Sequence, residues 1–204
     1  MFIDLAQGLH PDAGQHHEVH KDIIVTPLFT EEFCRDLVRT AEHWEHRMLR
    51  HSQPEEDLGY DALHFGRISG LLFEDWVAAW CEHLDPIIRQ VWPLTRIPGW
   101  QDPFIMRYSP GDTDHLDLHH DYSTVSFNCK LNQDYEGAAL TFPRQNWTAQ
   151  DVPVGHAILW PSTVTHPHSV PEIEQGVKYS LTAWTWPTGT DNMPGIANRF
   201  TDHR

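Results

Sequence analysis

The segment Asp114-His115-Leu116-Asp117-Leu118-His119-His120-Asp121 gathers histidines and aspartates at a density that invites metal chemistry. In an extended strand, residues two apart share a face. His119 and Asp121 can therefore address one point in space, and so can His115 and Asp117. A further donor must come from another element. Thr165-His166-Pro167-His168 offers two, far enough along the chain for a return strand to bring them alongside. Two imidazoles and one carboxylate on one face of an octahedron suit Fe(II) and leave positions open for a cosubstrate and dioxygen. Zinc accepts the same donors, with water in the fourth position of a catalytic site. A lone His-x-Asp pair arises often by chance, and surface histidines on a loop would account for it. The chain has 204 residues and 16 histidines, an unusual load.

Lys178 opens the last strong strand pattern, and Lys178, Ser180 and Thr182 share a face by the period of two. A cation there, with a hydroxyl two residues on, suits the distal carboxylate of a dicarboxylic cosubstrate. A buried lysine with no anion is costly. An exposed lysine at a strand start is the plainer reading of the same residue.

The elements that must position these groups follow from the pattern. The first twenty-two residues, with His10, His16, His17 and His20, read as a solvated segment. A helix is expected from about Thr30 to Met48. Thr30 is its N-cap, Glu31 and Glu32 lie in its first turn, and Phe33, Leu37, Val38, Ala41, Trp44 and Met48 form its apolar face. Ser52 to Gly59 reads as a loop. A second helical region runs from about Phe73 to Val91, with a stripe of Trp76, Val77, Trp80 and Leu84. Pro86 interrupts it, and Asp85 reads as the cap of a new helix. Short runs then follow between turn residues: Phe104 to Ser109, Val125 to Leu131, Ala139 to Phe142, His156 to Trp160 and Tyr179 to Trp186. They predict an antiparallel double-sheet barrel and an α+β fold.

The stretch from about Arg107 to Trp186 resembles the catalytic domain of the Fe(II)/2-oxoglutarate-dependent dioxygenases, and is most similar to the prolyl and lysyl hydroxylase branch. The strings that carry the likeness are Arg107-Tyr108-Ser109, His119-His120-Asp121-Tyr122-Ser123-Thr124-Val125-Ser126-Phe127-Asn128, Tyr135-Glu136-Gly137-Ala138-Ala139-Leu140-Thr141-Phe142, Thr165-His166-Pro167-His168 and Lys178-Tyr179. The lysyl branch has arginine where Lys178 stands, whereas the prolyl branch has lysine. The resemblance implies a double-stranded β-helix (jelly-roll) core over about 100–188. N-terminal helices, within about 23–95, would pack on one sheet, and a tail would span 189–204. The whole is expected to form one domain, 1–204.

The resemblance also implies roles. His119, Asp121 and His168, not His166, would be the metal ligands. Lys178 would pair with the distal carboxylate of 2-oxoglutarate, with the Tyr108 hydroxyl on the same group and Asn128 and Ser180 close to the cosubstrate. His115, Asp117 and Trp184 are candidates for lining the substrate pocket. The implied cofactors are Fe(II), 2-oxoglutarate and O2, with ascorbate as a reductant. The implied reaction hydroxylates an unactivated C–H bond and releases succinate and CO2. Two other classes remain open: a cupin-like metal-dependent hydrolase or isomerase that does not use 2-oxoglutarate, and a non-catalytic metal-binding jelly roll.

Composition bounds the partners. Lys plus Arg total 14 and Asp plus Glu total 29, a formal charge of −15, which opposes nucleic acid and anionic lipid surfaces. The expected lids, around Gly59-Tyr60-Asp61 and from Pro110 to Leu118, are acidic and favour a substrate with a cationic group, as a small molecule or short peptide. Cys34, Cys81 and Cys129 are odd in number and widely spaced. With no signal peptide or membrane-length apolar run, they predict free thiols and a cytoplasmic location.

Overall fold

The computed structural model describes residues 3–53, 56–92, 99–162 and 164–185. A 3₁₀ turn at Ala6–Gly8 precedes β1 (His17–His20) and β2 (Ile23–Pro27). Helix α1 (Glu31–His43) is followed by a 3₁₀ turn at Glu45–Arg47, then β3 (Leu49–Gln53) and β4 (Glu56–His64). The helical stretch comprises α2 (Phe65–Ile68), α3 (Gly70–Ala79), a π turn at Trp80–Leu84 and α4 (Asp85–Val91). Ten strands follow: β5 (Phe104–Tyr108), β6 (Leu116–His119), β7 (Val125–Lys130), β8 (Tyr135–Gly137), β9 (Thr141–Phe142), β10 (Trp147–Thr148), β11 (His156–Pro161), β12 (His168–Val170), β13 (Ile173–Gly176) and β14 (Lys178–Trp184).

The strands form a major sheet in the order β1-β2-β11-β7-β14-β5-β4-β3. A minor sheet runs β10-β9-β12-β6, and β13 pairs with β8 as a ribbon. Neighbours pair antiparallel throughout. This is the antiparallel double-sheet α+β fold that the strand pattern predicted, in the jelly-roll form that the resemblance implied.

Period-two alternation sorts the major sheet into two faces. Ile105, Phe127, Cys129, Leu159, Leu181 and Ala183 turn outward against the helices, with Leu37, Trp76 and Trp80 in the same cluster. Phe127, fully buried, meets Trp76 at 5.2 Å and Trp80 at 5.5 Å between ring centroids. Its burial contributes on the order of 2–3 kcal/mol. Phe104, Met106, Tyr108, Ile158 and Trp160 turn inward and face Leu116, Phe142 and Val170 of the minor sheet. The helices therefore brace one side of the sheet, and the other side is left to build a pocket.

Several expectations need correction. The Thr30 cap forms, its hydroxyl accepting from Phe33 N at 3.2 Å, but α1 stops at His43 instead of running to Met48. The segment read as a loop is strand on both sides, β3 and β4, with Pro54 and Glu55 outside the described residues. One expected lid, at Gly59-Tyr60-Asp61, is therefore sheet. The first twenty-two residues are not merely solvated, since β1 joins the edge of the major sheet. The N-terminal part is not simply helical either, because β2, β3 and β4 lie within it. Pairing, in the β1–β2 and β3–β4 hairpins and between β4 and β5, overrode local polarity. Pro86 stands in the first turn of a new helix, α4, as expected, but the N-cap is Leu84 and not Asp85, and the π turn leads into it. Asp85 instead accepts from Trp80 Nε1 at 2.7 Å. The expected tail, 189–204, and Trp186 lie outside the described residues. Among those described, no helix is long and apolar enough to cross a membrane.

Candidate metal centre

The minor sheet brings the histidines together. His119, closing β6, is the direct ladder partner of His168, opening β12. Their ring centroids lie 4.4 Å apart. Asp121, two residues past His119, is buried beside both: its Oδ1 is 3.6 Å from His119 Nε2 and its Oδ2 is 3.4 Å from His168 Nε2. One donor atom from each of the three residues lies within 4.8 Å of the others.

Hydrogen bonds set the tautomers. A carbonyl oxygen can only accept, so each Nδ1 facing one must carry the proton. His119 Nδ1–H donates to Asp117 O at 2.7 Å, and His168 Nδ1–H to His166 O at 3.1 Å. Each Nε2 then carries the ring's lone pair, the arrangement that metal-ligating histidines use. Burial alone would raise the Asp121 carboxyl. The neighbouring imidazoles, His168 foremost, outweigh it when they carry a second proton and hold the group well below the usual carboxylate range; a bound metal would take the place of those protons. The donor set thus fits a divalent ion of the iron type: two neutral imidazoles and an ionised carboxylate, packed to share one centre.

The same residues open onto a cavity of about 270 Å³ lined by His119, Asp121, His168, Tyr60, Tyr108 and Lys178, among others. Four inward side chains of the major sheet face it by register. Lys178 of β14 pairs with Tyr108 of β5, and Thr182 of β14 pairs with Asn128 of β7. The Lys178 ammonium is buried, donates to Ala138 O at 2.7 Å and sits 4.8 Å from the Tyr108 ring centroid. No carboxylate among the described residues forms an ion pair with it. Burial, reinforced by repulsion from Lys130, pushes it down to about 7. A buried ammonium with no anion of its own fits a cosubstrate that brings a carboxylate. Asn128 Nδ2 donates to Thr182 Oγ1 at 3.1 Å. A second cavity, of about 410 Å³, shares Asn128, Leu140 and Lys178 as its wall with the first.

The structure therefore assembles His119, Asp121, His168, Lys178, Tyr108, Asn128 and Trp184 around one cavity. Ser180 shares the inward face and is buried, but it does not line the cavity. The pocket role expected of His115 and Asp117 is not supported. Both are exposed, pair with each other at 3.8 Å, and border a separate surface hollow. A bulge explains this. Three steps from Leu116 to His119 match two steps from Val170 to His168, so the alternation slips and Asp117 turns out while His119 turns in. His166 points away from the centre, toward Lys21 O at 3.3 Å. Leu140 lines the cavity without having been foreseen. Trp160 lines it from β11, and Tyr60, expected on a lid, lines it from β4 of the major sheet.

A profile of the 2OG-Fe(II) oxygenase superfamily matches residues 103–186. The chain is 29% identical over 199 residues to a multifunctional procollagen lysine hydroxylase and glycosyltransferase of Caenorhabditis elegans, covering 88% of this chain and 26% of that protein. It is 30% identical over 177 residues to mouse procollagen-lysine,2-oxoglutarate 5-dioxygenase 1, covering 81% and 24%. The chain thus spans about a quarter of the length of these curated relatives. A prolyl-4-hydroxylase from Pseudomonas putida shares the fold at a TM-score of 0.63 and 19% identity, over 84% of this chain and 95% of that one. A Trichoplax adhaerens prolyl hydroxylase, solved with a hypoxia-inducible factor peptide fragment, does so at 0.61 and 15%, over 81% and 84%. Residues 103–186 thus match the 2OG-Fe(II) oxygenase superfamily. The curated relatives and solved neighbours named above are lysyl and prolyl hydroxylases.

Proposed function

We propose that this chain is a 2-oxoglutarate-dependent dioxygenase that hydroxylates an unactivated C–H bond of an amino acid or a peptidyl residue. The observation that carries the reading is one cavity holding both a His119/Asp121/His168 donor set and the Lys178 ammonium, with which no carboxylate among the described residues pairs. A cupin-like hydrolase would need the first and leave the second without purpose. His119, Asp121 and His168 hold Fe(II), and Lys178 holds the distal carboxylate of 2-oxoglutarate. When bound, the pair supplies the oxidising chemistry, coupling O2-dependent decarboxylation to succinate and CO2 with hydroxylation.

The protein's own part is positioning and exclusion of water. Tyr108 and Asn128 shape the pocket beside Lys178. Trp184 and Tyr60 wall it, with Phe104 lying under Tyr60 at 6.0 Å in a stacked pair and meeting Trp184 edge-on at 5.1 Å. The peptide substrates named for relatives support a peptidyl residue as target. The three free thiols, two of them buried, support a reducing compartment such as the cytosol. The test is anaerobic addition of Fe(II) and 2-oxoglutarate to metal-free protein, expected to give the visible metal-to-ligand charge-transfer band. A mass-spectrometric screen of peptides and amino acids should then show gain of one oxygen matched to succinate. Uptake of iron with no band on addition of 2-oxoglutarate would defeat the reading.

A further inference from the structure

The three metal donors rest on two different supports. His119 and His168 are partners on the minor sheet. Asp121 has already left that sheet, because β6 ends at His119. Its carboxylate is fastened instead to the major sheet. Ser126 of β7 donates to Asp121 Oδ2 at 2.5 Å, and Ser162, just past β11, donates to Ser126 Oγ at 2.6 Å. An ionised carboxylate only accepts, so the Ser126 proton must face Asp121. The Ser126 oxygen then accepts, and Ser162 is the donor. Ser162 is itself pinned, its N–H donating to Thr124 O at 3.2 Å beside the start of β7. Asp121 is 7% exposed, and Ser126 and Ser162 are both 0% exposed, so bulk water does not compete for these bonds.

We infer that Ser126, aligned by Ser162, is a positioning residue that restricts Asp121 to one-oxygen ligation of the metal. The inference rests on the metal-centre reading above. A hydroxyl bound to a carboxylate is among the stronger hydrogen bonds, and stronger still in a dry site. With Oδ2 engaged, the carboxylate cannot rotate to offer both oxygens without breaking that bond. One-oxygen ligation by Asp121, with two imidazoles, leaves three octahedral positions open. Those are the positions that a two-point keto-acid ligand and dioxygen require. A chelating Asp121 would fill one of them.

Co(II), loaded into the metal-depleted full chain, is the probe. Its ligand-field spectrum reads the donor set without turnover. Three quantities are measured: that spectrum, the Kd for Co(II), and the Kd for 2-oxoglutarate on the Co(II)-loaded protein. Ser126→Ala is expected to alter the spectrum and to weaken both affinities by about tenfold. Ser126→Thr, which keeps the hydroxyl, should restore all three. Ser162→Ala should shift them in the same direction by a smaller factor. Should Ser126→Ala fail to fold, the other two variants decide: a wild-type-like threonine variant beside a shifted Ser162→Ala supports the inference. A Ser126→Ala or Ser162→Ala protein with wild-type spectrum and affinities overturns it and leaves the metal centre standing. A threonine variant that fails to rescue overturns it as well. Wild-type protein that takes up no Co(II) would instead sink the metal-centre reading, and this inference with it.

Discussion

His115 with Asp117 and His119 with Asp121 are the same local motif written twice in succession, yet the fold treats them oppositely. The side chains of His115 and Asp117 are 52% and 66% exposed, and those of His119 and Asp121 are 17% and 4% exposed. The outer pair neutralises itself. His115 also binds Asp114 at 2.5 Å, a hydrogen bond that holds the imidazole above its usual range. The inner pair lies closer still, at 3.6 Å, but shares its groups with further partners. Its imidazole is matched across the ladder by His168 and its carboxylate by Ser126. The spacing of a motif thus fixes which residues share a face only while the strand stays regular. The bulge between β6 and β12 decides which copy of the motif looks inward.

Substitutions in the inner pair should have the largest effect. His119→Ala, Asp121→Ala and His168→Ala should each abolish the charge-transfer band formed with Fe(II) and 2-oxoglutarate, whereas His166→Ala should keep it. A band lost in the His166 variant and kept in the His168 variant would reverse the ligand assignment. Next in size is Lys178→Met, expected to weaken 2-oxoglutarate about 10- to 100-fold, as for loss of a buried charge-assisted hydrogen bond. Unchanged affinity in that variant would remove the ammonium from the site.

A graded effect follows from the same residue. Burial holds Lys178 down to about 7 in the ligand-free protein. Below that pH the ammonium is charged and binding of a carboxylate needs no proton. Above it the protein must take up a proton to bind, so 2-oxoglutarate affinity should fall as pH rises, by up to about tenfold per unit. Titration calorimetry in buffers of different ionisation enthalpy would count the proton, and Lys178→Met should flatten the slope. The smallest effect belongs to the outer pair. His115→Ala and Asp117→Asn should leave the band and the 2-oxoglutarate affinity within about twofold of wild type, as exposed ion pairs contribute little. A loss there as large as for His119→Ala would erase the distinction between the two pairs.

Much of the site was legible because it is built from strand alternation. Lys178, Thr182 and Trp184 turn inward together on β14, and Asn128 and Ser126 do so on β7, as a period of two requires. The Thr30 cap was legible for the same reason, a local rule applied to a local contact. What escaped depended on pairing. β1 and β3 are polar and become strands in hairpins with β2 and β4, and β4 is tied into the major sheet by the distant β5. Tyr60 reaches the cavity because β4 pairs with β5. Ser162 meets Ser126 because β11 lies beside β7.

The chain's residues determined on their own that two imidazoles, a carboxylate and a lysine were available, and that most of them lie on short alternating strands. Tertiary structure decided which copy of the motif is buried, and that no carboxylate among the described residues pairs with the lysine. The reason is physical. Alternation and capping are set by dihedral angles within a few residues. Register, bulges and the burial of charge are set by contacts between segments far apart along the chain.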